Sequence, residues 1–485
     1  MANKKVSSLN NGHGERHGKT PVTPLTPSMT SDWSSQPQVE QNKIEPSEKP
    51  SEEKKDEPAP VFGKIVWRDP SRLSNIPLIL FMFFIVVYGL VVLYSVSAPT
   101  GYNVSKLTSS AFYVISQLKF TIVGVILALV VNFIPIDFFK NRFIMYAAYI
   151  GSVGIIAATA LFGTDAGQGA RRWIRIGGTL FQSSEIFKIS LVMILAIYRI
   201  MIINRQRKGK LKASNPKKQP FVDALWEFII PVGLILLGDG IILMQPHLSC
   251  FLIIGVVTVV CFLVSGIKLR SWVIGCSVYL ILLAIVFGIV MAVPSAREKV
   301  VDKIETNFAH VFKRVEIYSQ DEEHVQTEQE KDESRQVDRA KDAIGSGGMF
   351  GQGIGNSRYK YSYVSEAHND YIFSIYVEET GLVGGTILIL IYLTFLYLGL
   401  KVALRAKDVF CRIVATGYTF LIALEALWNI GVELTVLPPT GITLPFISYG
   451  GTAQILLLAG YGMILCVARS GVKTSEPNER KAESV

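Results

Sequence analysis

The chain has 485 residues, half of them hydrophobic, and only 18 % carry charge, too little for a soluble protein of this size. The apolar residues recur in runs of about 20, the length that crosses a hydrocarbon core of about 30 Å, and such unbroken runs exclude the alternating strands of an outer-membrane barrel. The net charge of +9 is gathered in short loops beside these runs, a pattern that orients a membrane protein and argues against nucleic acid as a partner.

The expected fold is an all-α polytopic membrane protein of ten transmembrane helices, with a large extracellular loop between helices 7 and 8. Residues 1–64 are rich in Ser, Thr, Pro, Lys and Glu and poor in apolar residues, which predicts a disordered cytoplasmic tail. The membrane domain follows over 65–470, and 471–485 form a short polar C-terminal tail. The ten runs lie near 76–97, 113–134, 143–163, 183–203, 225–244, 249–266, 272–293, 371–400, 411–434 and 452–468. Cys250, Cys261, Cys276, Cys411 and Cys466 lie in or beside them and read as small buried hydrophobes, with no disulfide and no metal site expected.

Every second connection is basic. Lys64, Arg68 and Arg72 precede the first run, Lys140 and Arg142 follow the second, and a cluster from Arg199 to Lys218 spans the end of the fourth run and the connection after it. Lys268 and Arg270, then Lys401, Arg405, Lys407 and Arg412, and finally Arg469 and Lys473 complete the set. The positive-inside rule puts these loops and both termini in the cytoplasm. The segments 98–112, 164–182, 245–248, 294–370 and 435–451 are then outside.

Four polar clusters fall on that outer side. The first is Gly169-Ala170-Arg171-Arg172-Trp173-Ile174, followed by Gln182-Ser183-Ser184-Glu185 and Lys188. Arg171, Arg172 and Arg175 stand against the charge bias, which points to an anionic ligand, because an arginine fork matches phosphate oxygens in pairs; the alternative is that they pair with lipid headgroups or nearby carboxylates. Glu185 and Lys188, three apart on a helix entering the membrane, are costly there and either pair with each other or serve a ligand. The second cluster is the turn Gln245-Pro246-His247-Leu248-Ser249, whose lone histidine is expected to be a satisfied hydrogen-bonding residue.

The third cluster is the long loop. Its charged part, 294–343, contains Lys299, Lys303, Lys313 and Arg314 and is expected to include amphipathic helix on the membrane surface. Gly345 to Gly355 is expected to form a flexible, close-packing bend. Glu366, His368, Asn369 and Asp370 then sit at the mouth of the eighth run, with Glu378 and Glu379 inside it, where an acidic pair must be paired or line a polar cavity. The fourth cluster, Pro438 to Thr452 with Ser448, holds three prolines and three glycines among apolar residues. It is expected to be a re-entrant or broken segment.

These motifs, in this order and spacing over roughly residues 75–470, resemble the SEDS family, the FtsW, RodA and SpoVE group of bacterial cell-wall polymerases. The resemblance implies ten spans, a peptidoglycan glycosyltransferase acting on lipid II, and pairing with a class B penicillin-binding protein within a divisome or elongasome. It also implies substrate contacts at Arg171, Arg172, Trp173, Glu185, Lys188, Gln245, His368, Asp370 and Ser448. Three departures stand out. Ser183 replaces a proline, His247 replaces an aspartate, and the short loop segment that carries the family's catalytic aspartate keeps only Gln336. Counting back from Gln336 lands on Gln329, whereas counting forward from Arg314 favours Asp321 or Glu322 as the general base, Asp321 being preferred. No cofactor is implied with certainty. A divalent cation is compatible with a diphosphate leaving group, but the sequence shows no ligands for it.

Two other readings compete with the polymerase. A flippase or transporter of lipid-linked sugars predicts charges through the bundle midplane and inverted repeats; no clear repeat is visible, and the polar motifs crowd one face. A SEDS scaffold for a penicillin-binding protein that has lost its base would keep the fold without the chemistry.

Overall fold

The computed structural model describes residues 75–104, 109–164, 172–176, 179–245, 247–294, 297–298, 328–361, 367–438 and 440–471. All of these lie in one unit, Lys64–Val485. The elements run α1 (Ile76–Val104), α2 (Phe112–Phe133), α3 (Arg142–Phe162), the strands β1 (Trp173–Ile176) and β2 (Thr179–Gln182), and α4 (Ser183–Arg207). Next comes α5 (Gln219–Ala224), which passes through a π-helical turn, Leu225–Ile229, into α6 (Ile230–Leu243). Then follow α7 (Leu248–Val264), α8 (Leu269–Ala292), α9 (Glu328–Gly347), α10 (Ile372–Leu404), α11 (Val409–Glu433) and α12 (Thr452–Arg469).

Among the described residues nine helices are long and apolar enough to cross a membrane. The tenth expected run is α7, whose 17 residues reach only about 26 Å at about 1.5 Å per residue. All ten runs are therefore helices, and α9 adds the amphipathic helix expected in the long loop. The small hairpin was not expected. Its signal was in the sequence, since Trp-Ile-Arg-Ile and Thr-Leu-Phe-Gln flank Gly177-Gly178 at the two-residue spacing of a tight β-hairpin. The pairing Trp173↔Gln182 through Ile176↔Thr179 follows that spacing.

The centre of the bundle is built from α4, α11 and α12, which are mostly buried, while α8 is almost wholly exposed. Small residues let the helices close up, as expected where no hydrophobic drive acts between helices in lipid. A Cβ on Gly462 of α12 would come within 2.6 Å of the Ala128 carbonyl oxygen of α2. Opposite the hairpin end, Lys140 bridges Asp137 at 2.7 Å and Asp408 at 2.9 Å. The hydrogen bond from Lys140 holds the Asp137 carboxyl below its usual range. Asp408 also caps α11 by accepting from the Cys411 amide at 2.9 Å.

The eighth run is not one straight helix. At Gly381 the backbone of α10 leaves the helical region, with φ 72° and ψ −173°. The glycine-rich loop after α9 fills the break. The orphaned amides of Leu382 and Val383 donate to Gly348 O at 2.9 Å and Met349 O at 3.2 Å. On the other side Gln352 N and Gly353 N donate to Glu378 O at 2.9 Å and Glu379 O at 3.0 Å. Every one of these backbone groups would otherwise be unsatisfied away from water, which is why irregular backbone at such depth is found only against protein. The close packing expected of this bend is met, and the loop is held by backbone hydrogen bonds on both sides of the break.

This geometry sets a graded test. Gly351 has φ 81°, and a Cβ there would meet the Glu379 carbonyl oxygen at 2.2 Å. Gly348 has φ 54° but nothing within 4 Å. Gly348→Ala should therefore cost only the left-handed penalty of about 1–2 kcal/mol. Gly351→Ala adds a backbone clash and should lower the detergent unfolding temperature clearly further. Equal shifts for the two variants would contradict the inserted loop.

Candidate functional site

The hairpin runs without a loop into α4, so Gln182 and the Ser183–Lys188 segment are set at the same end of the bundle as the α6–α7 turn. Two side-chain contacts tie these pieces together. Arg172 Nε donates to the Gln245 carbonyl at 3.3 Å, and Gln182 Nε2 lies 3.0 Å from His247 Nε2. Gln245 in turn donates to Ile156 O at 3.1 Å, and His247 Nδ1 caps α7 by accepting from Cys250 N at 3.3 Å. His247 is thus a satisfied structural histidine. Trp173 opens β1 and exchanges backbone hydrogen bonds with Thr164, while its buried indole N–H has no partner among the described residues.

Glu185 and Lys188 take the pairing alternative. Lys188 is buried, lies 2.7 Å from Glu185 Oε1, and makes a short contact with Glu425 Oε1 of α11. One ammonium therefore serves two carboxylates, which makes burial of all three tolerable. Glu425 was missed by sequence reading. Its only signal is a glutamate midway along an apolar run.

The second half of the site is the rim formed by residues 367–374 and the irregular segment 440–451. Ile442, Leu444, Phe446, Ile447 and Ser448 are buried, as expected of a broken segment lodged in protein. Gln117 of α2 clamps it, donating to Ser448 O at 3.3 Å and accepting from Gly450 N and Gly451 N at 3.3 and 3.2 Å. The Ser448 hydroxyl accepts from Leu444 N at 2.8 Å and so closes the turn internally. Tyr449 N donates to His368 O at 2.9 Å. The His368 ring lies 4.0 Å from that of Tyr113, which meets the Tyr449 ring edge-on at 5.1 Å.

Asp370 is fixed through its backbone. Asn429 Nδ2 donates to Asp370 O and to Ile442 O, both at 2.9 Å. One turn on, Glu433 accepts from Phe373 N at 3.2 Å and from Ser374 N and Oγ at 2.6 Å. A buried carboxylate of α11 therefore caps the positive N-terminus of α10. The legible signal for both was a polar pair four apart on one face of an apolar helix. The Thr452 hydroxyl donates to Leu180 O at 3.4 Å and joins the rim to the hairpin.

Of the two adjacent glutamates Glu379 is paired with a cation, while Glu378 is held by hydrogen bonds. Glu378 accepts from the Ser357 hydroxyl and from Arg358 N at 2.8 Å. Glu379 accepts from the Ser95 hydroxyl of α1 and pairs with the buried Lys360 at 2.8 Å. Lys360 went unnoticed in the sequence because a lysine in a polar loop carries no signal of burial. Arg171, Asp321 and Glu322 lie outside the described residues. Among the described residues no group of three or more His, Cys, Asp or Glu side chains is arranged to hold a metal ion.

Residues 76–473 match the family model FtsW/RodA/SpoVE, described as cell cycle protein. The chain is 29 % identical over 403 residues to the stage V sporulation protein E of Bacillus subtilis, covering 81 % of this chain and 96 % of that protein. It is 30 % identical over 398 residues to the probable peptidoglycan glycosyltransferase FtsW of the same organism, covering 81 % and 90 %. Two solved structures share the fold. One, described as the structural coordination of polymerization and crosslinking by a peptidoglycan synthase complex, matches with a TM-score of 0.56 at 24 % identity over 81 % of this chain and 97 % of its own. The other, the Thermus thermophilus rod shape determining protein RodA, matches with a TM-score of 0.52 at 23 % identity over 83 % and 99 %.

Proposed function

Because the chain belongs to the FtsW/RodA/SpoVE family, we propose that it is a peptidoglycan glycosyltransferase of the bacterial cytoplasmic membrane, serving cell division or cell shape. The observation that carries this reading is that the hairpin, the α6–α7 turn, the His368–Asp370 rim and the broken segment 440–451 are hydrogen-bonded to one another at one end of the bundle. A transporter of lipid-linked sugars would predict inverted repeats, and the sequence shows no clear repeat.

In this reading the polar end faces outward and both termini are cytoplasmic. The 4-hydroxyl of lipid II attacks the anomeric carbon of the growing strand. The bond from that carbon to the diphosphate oxygen breaks, undecaprenyl diphosphate leaves, and the hydroxyl proton passes to a loop carboxylate, Asp321 or Glu322. Arg171 and Arg172 offset the charge that develops on the leaving diphosphate, the latter held at the site by its bond to Gln245. Lys188 serves instead to hold Glu185 and Glu425. The class B penicillin-binding protein would crosslink the strand made here.

The test is polymerisation of lipid II by the purified protein, alone and with its transpeptidase. Glycan strands are the expected product, and none with either preparation would leave the scaffold reading. Arg172→Ala should lower kcat/KM by about 10- to 100-fold, the scale of one lost charge-assisted contact of about 1.5–3 kcal/mol, with normal folding by thermal unfolding. Unchanged kinetics would remove Arg172 from the diphosphate site.

A further inference from the structure

We propose that Met349, Phe350 and Ile354 form an interfacial anchor that dips into the lipid bilayer at the level of the α10 break. Phe350 is 81 % exposed and Ile354 75 %, on a loop whose backbone is fixed rather than free. Exposed apolar side chains on a rigid loop mark a surface with an occupant.

Two features identify that occupant as acyl chains. The first is continuity with the lipid-facing surface of α10. Residues 372–379 are all buried, and they include Glu378 and Glu379. Beyond Gly381 the same helix shows an exposed stripe of Leu382, Val383, Ile387, Leu390 and Tyr397 at helical spacing. From Leu382 to Leu404 the helix covers about 35 Å at about 1.5 Å per residue, enough to cross a core of about 30 Å unaided. The break therefore marks where protein wrapping ends and lipid contact begins. Gly348 and Met349 are hydrogen-bonded to Leu382 and Val383, the first two residues of the stripe, so the loop tip lies at its upper edge.

The second feature is composition. Residues 345–361 contain no Asp or Glu, although the segment just before them is crowded with both. The exposed side chains besides the three anchors are the uncharged Ser346, Gln352 and Asn356, with Arg358 and Tyr361. Aromatic and apolar groups with a basic residue and no acid suit the headgroup boundary. Such an anchor would hold the rim at the depth where a lipid-linked diphosphate emerges.

The experiment uses Phe350→Cys in a Cys276→Ser background, since the other four cysteines are buried, labelled with an environment-sensitive fluorophore and placed in nanodiscs containing phosphatidylglycerol. Labels at Leu390 and at the exposed Lys208 serve as lipid and water references. The expected result is strong quenching by a lipid nitroxide on an upper acyl carbon, with iodide quenching several-fold weaker than at Lys208. Iodide quenching equal to that at Lys208 would put the loop in water and overturn the proposal. Shielding from both quenchers would mean that protein, including a second copy of the chain, covers the patch, and would overturn it equally. Ile354→Cys repeats the measurement should the label at Phe350 disturb the fold. The readout involves no catalysis, so it stands apart from the polymerase reading.

Discussion

Replacing Lys360 by methionine is expected to destabilise the protein by about 3–5 kcal/mol, the cost of stranding one partner of a buried ion pair. The Lys360 ammonium is 2.8 Å from Glu379 Oε1, 2.7 Å from Gly355 O and 3.2 Å from Ser95 O. All three of its protons are thus directed to acceptors from three parts of the chain, of which the Glu379 carboxylate is buried. Removing it leaves the Glu379 carboxylate with the Ser95 hydroxyl and no countercharge. It also frees the segment that carries Gly355 from α1. The pair itself need not be worth that much, because desolvating two ions nearly cancels their attraction. The double variant Lys360→Met with Glu379→Leu should accordingly recover most of the loss, and Glu379→Gln alone should fall between the two. Thermal unfolding in detergent, read as a double-mutant cycle, measures this. A Lys360→Met protein that unfolds at the wild-type temperature would refute the role given to the pair.

Replacing Asp321 by alanine is expected to cut the turnover of lipid II by about 100- to 10,000-fold, the range a positioned general base contributes. Asp321 lies seven residues before Glu328, so it stays within about 25 Å of the start of α9, by the reach of an extended chain at about 3.5 Å per residue. The far end of α9 is fixed by the loop inserted at Gly381. Glu322→Ala should change turnover only a few-fold while KM holds. The opposite ranking would move the base to Glu322. If each single variant is active and the pair is dead, either carboxylate can serve. Activity in the double variant would place the base outside this pair and remove Asp321 from the reaction.

The sequence carried much of the candidate site but not its wiring. Arg172, Gln245, His368, Asp370 and Ser448 stood out because polar residues and prolines beside membrane spans are conspicuous. Gln117 and Asn429, which meet Ser448 and Asp370, and Glu433, which caps α10, were visible as polar residues inside apolar runs, yet nothing local said which groups they would meet. Lys188 shows the limit best. Its spacing from Glu185 made a local pair legible, but the second carboxylate, Glu425, comes from 237 positions away.

By itself, the sequence determined the class, the order of the ten apolar helices and the common end at which the polar motifs gather. Hydropathy over about 20 residues and the charge of the next loop are local quantities, and in a bilayer they decide where the chain crosses. Only the tertiary structure decided that α10 is broken at Gly381, that the glycine-rich loop completes it, that Lys360 pairs with Glu379, and that the Ser357 hydroxyl and the Arg358 amide satisfy Glu378. Those outcomes depend on which distant groups are brought within hydrogen-bond reach, because a buried amide or charge is tolerable only with its partner in place.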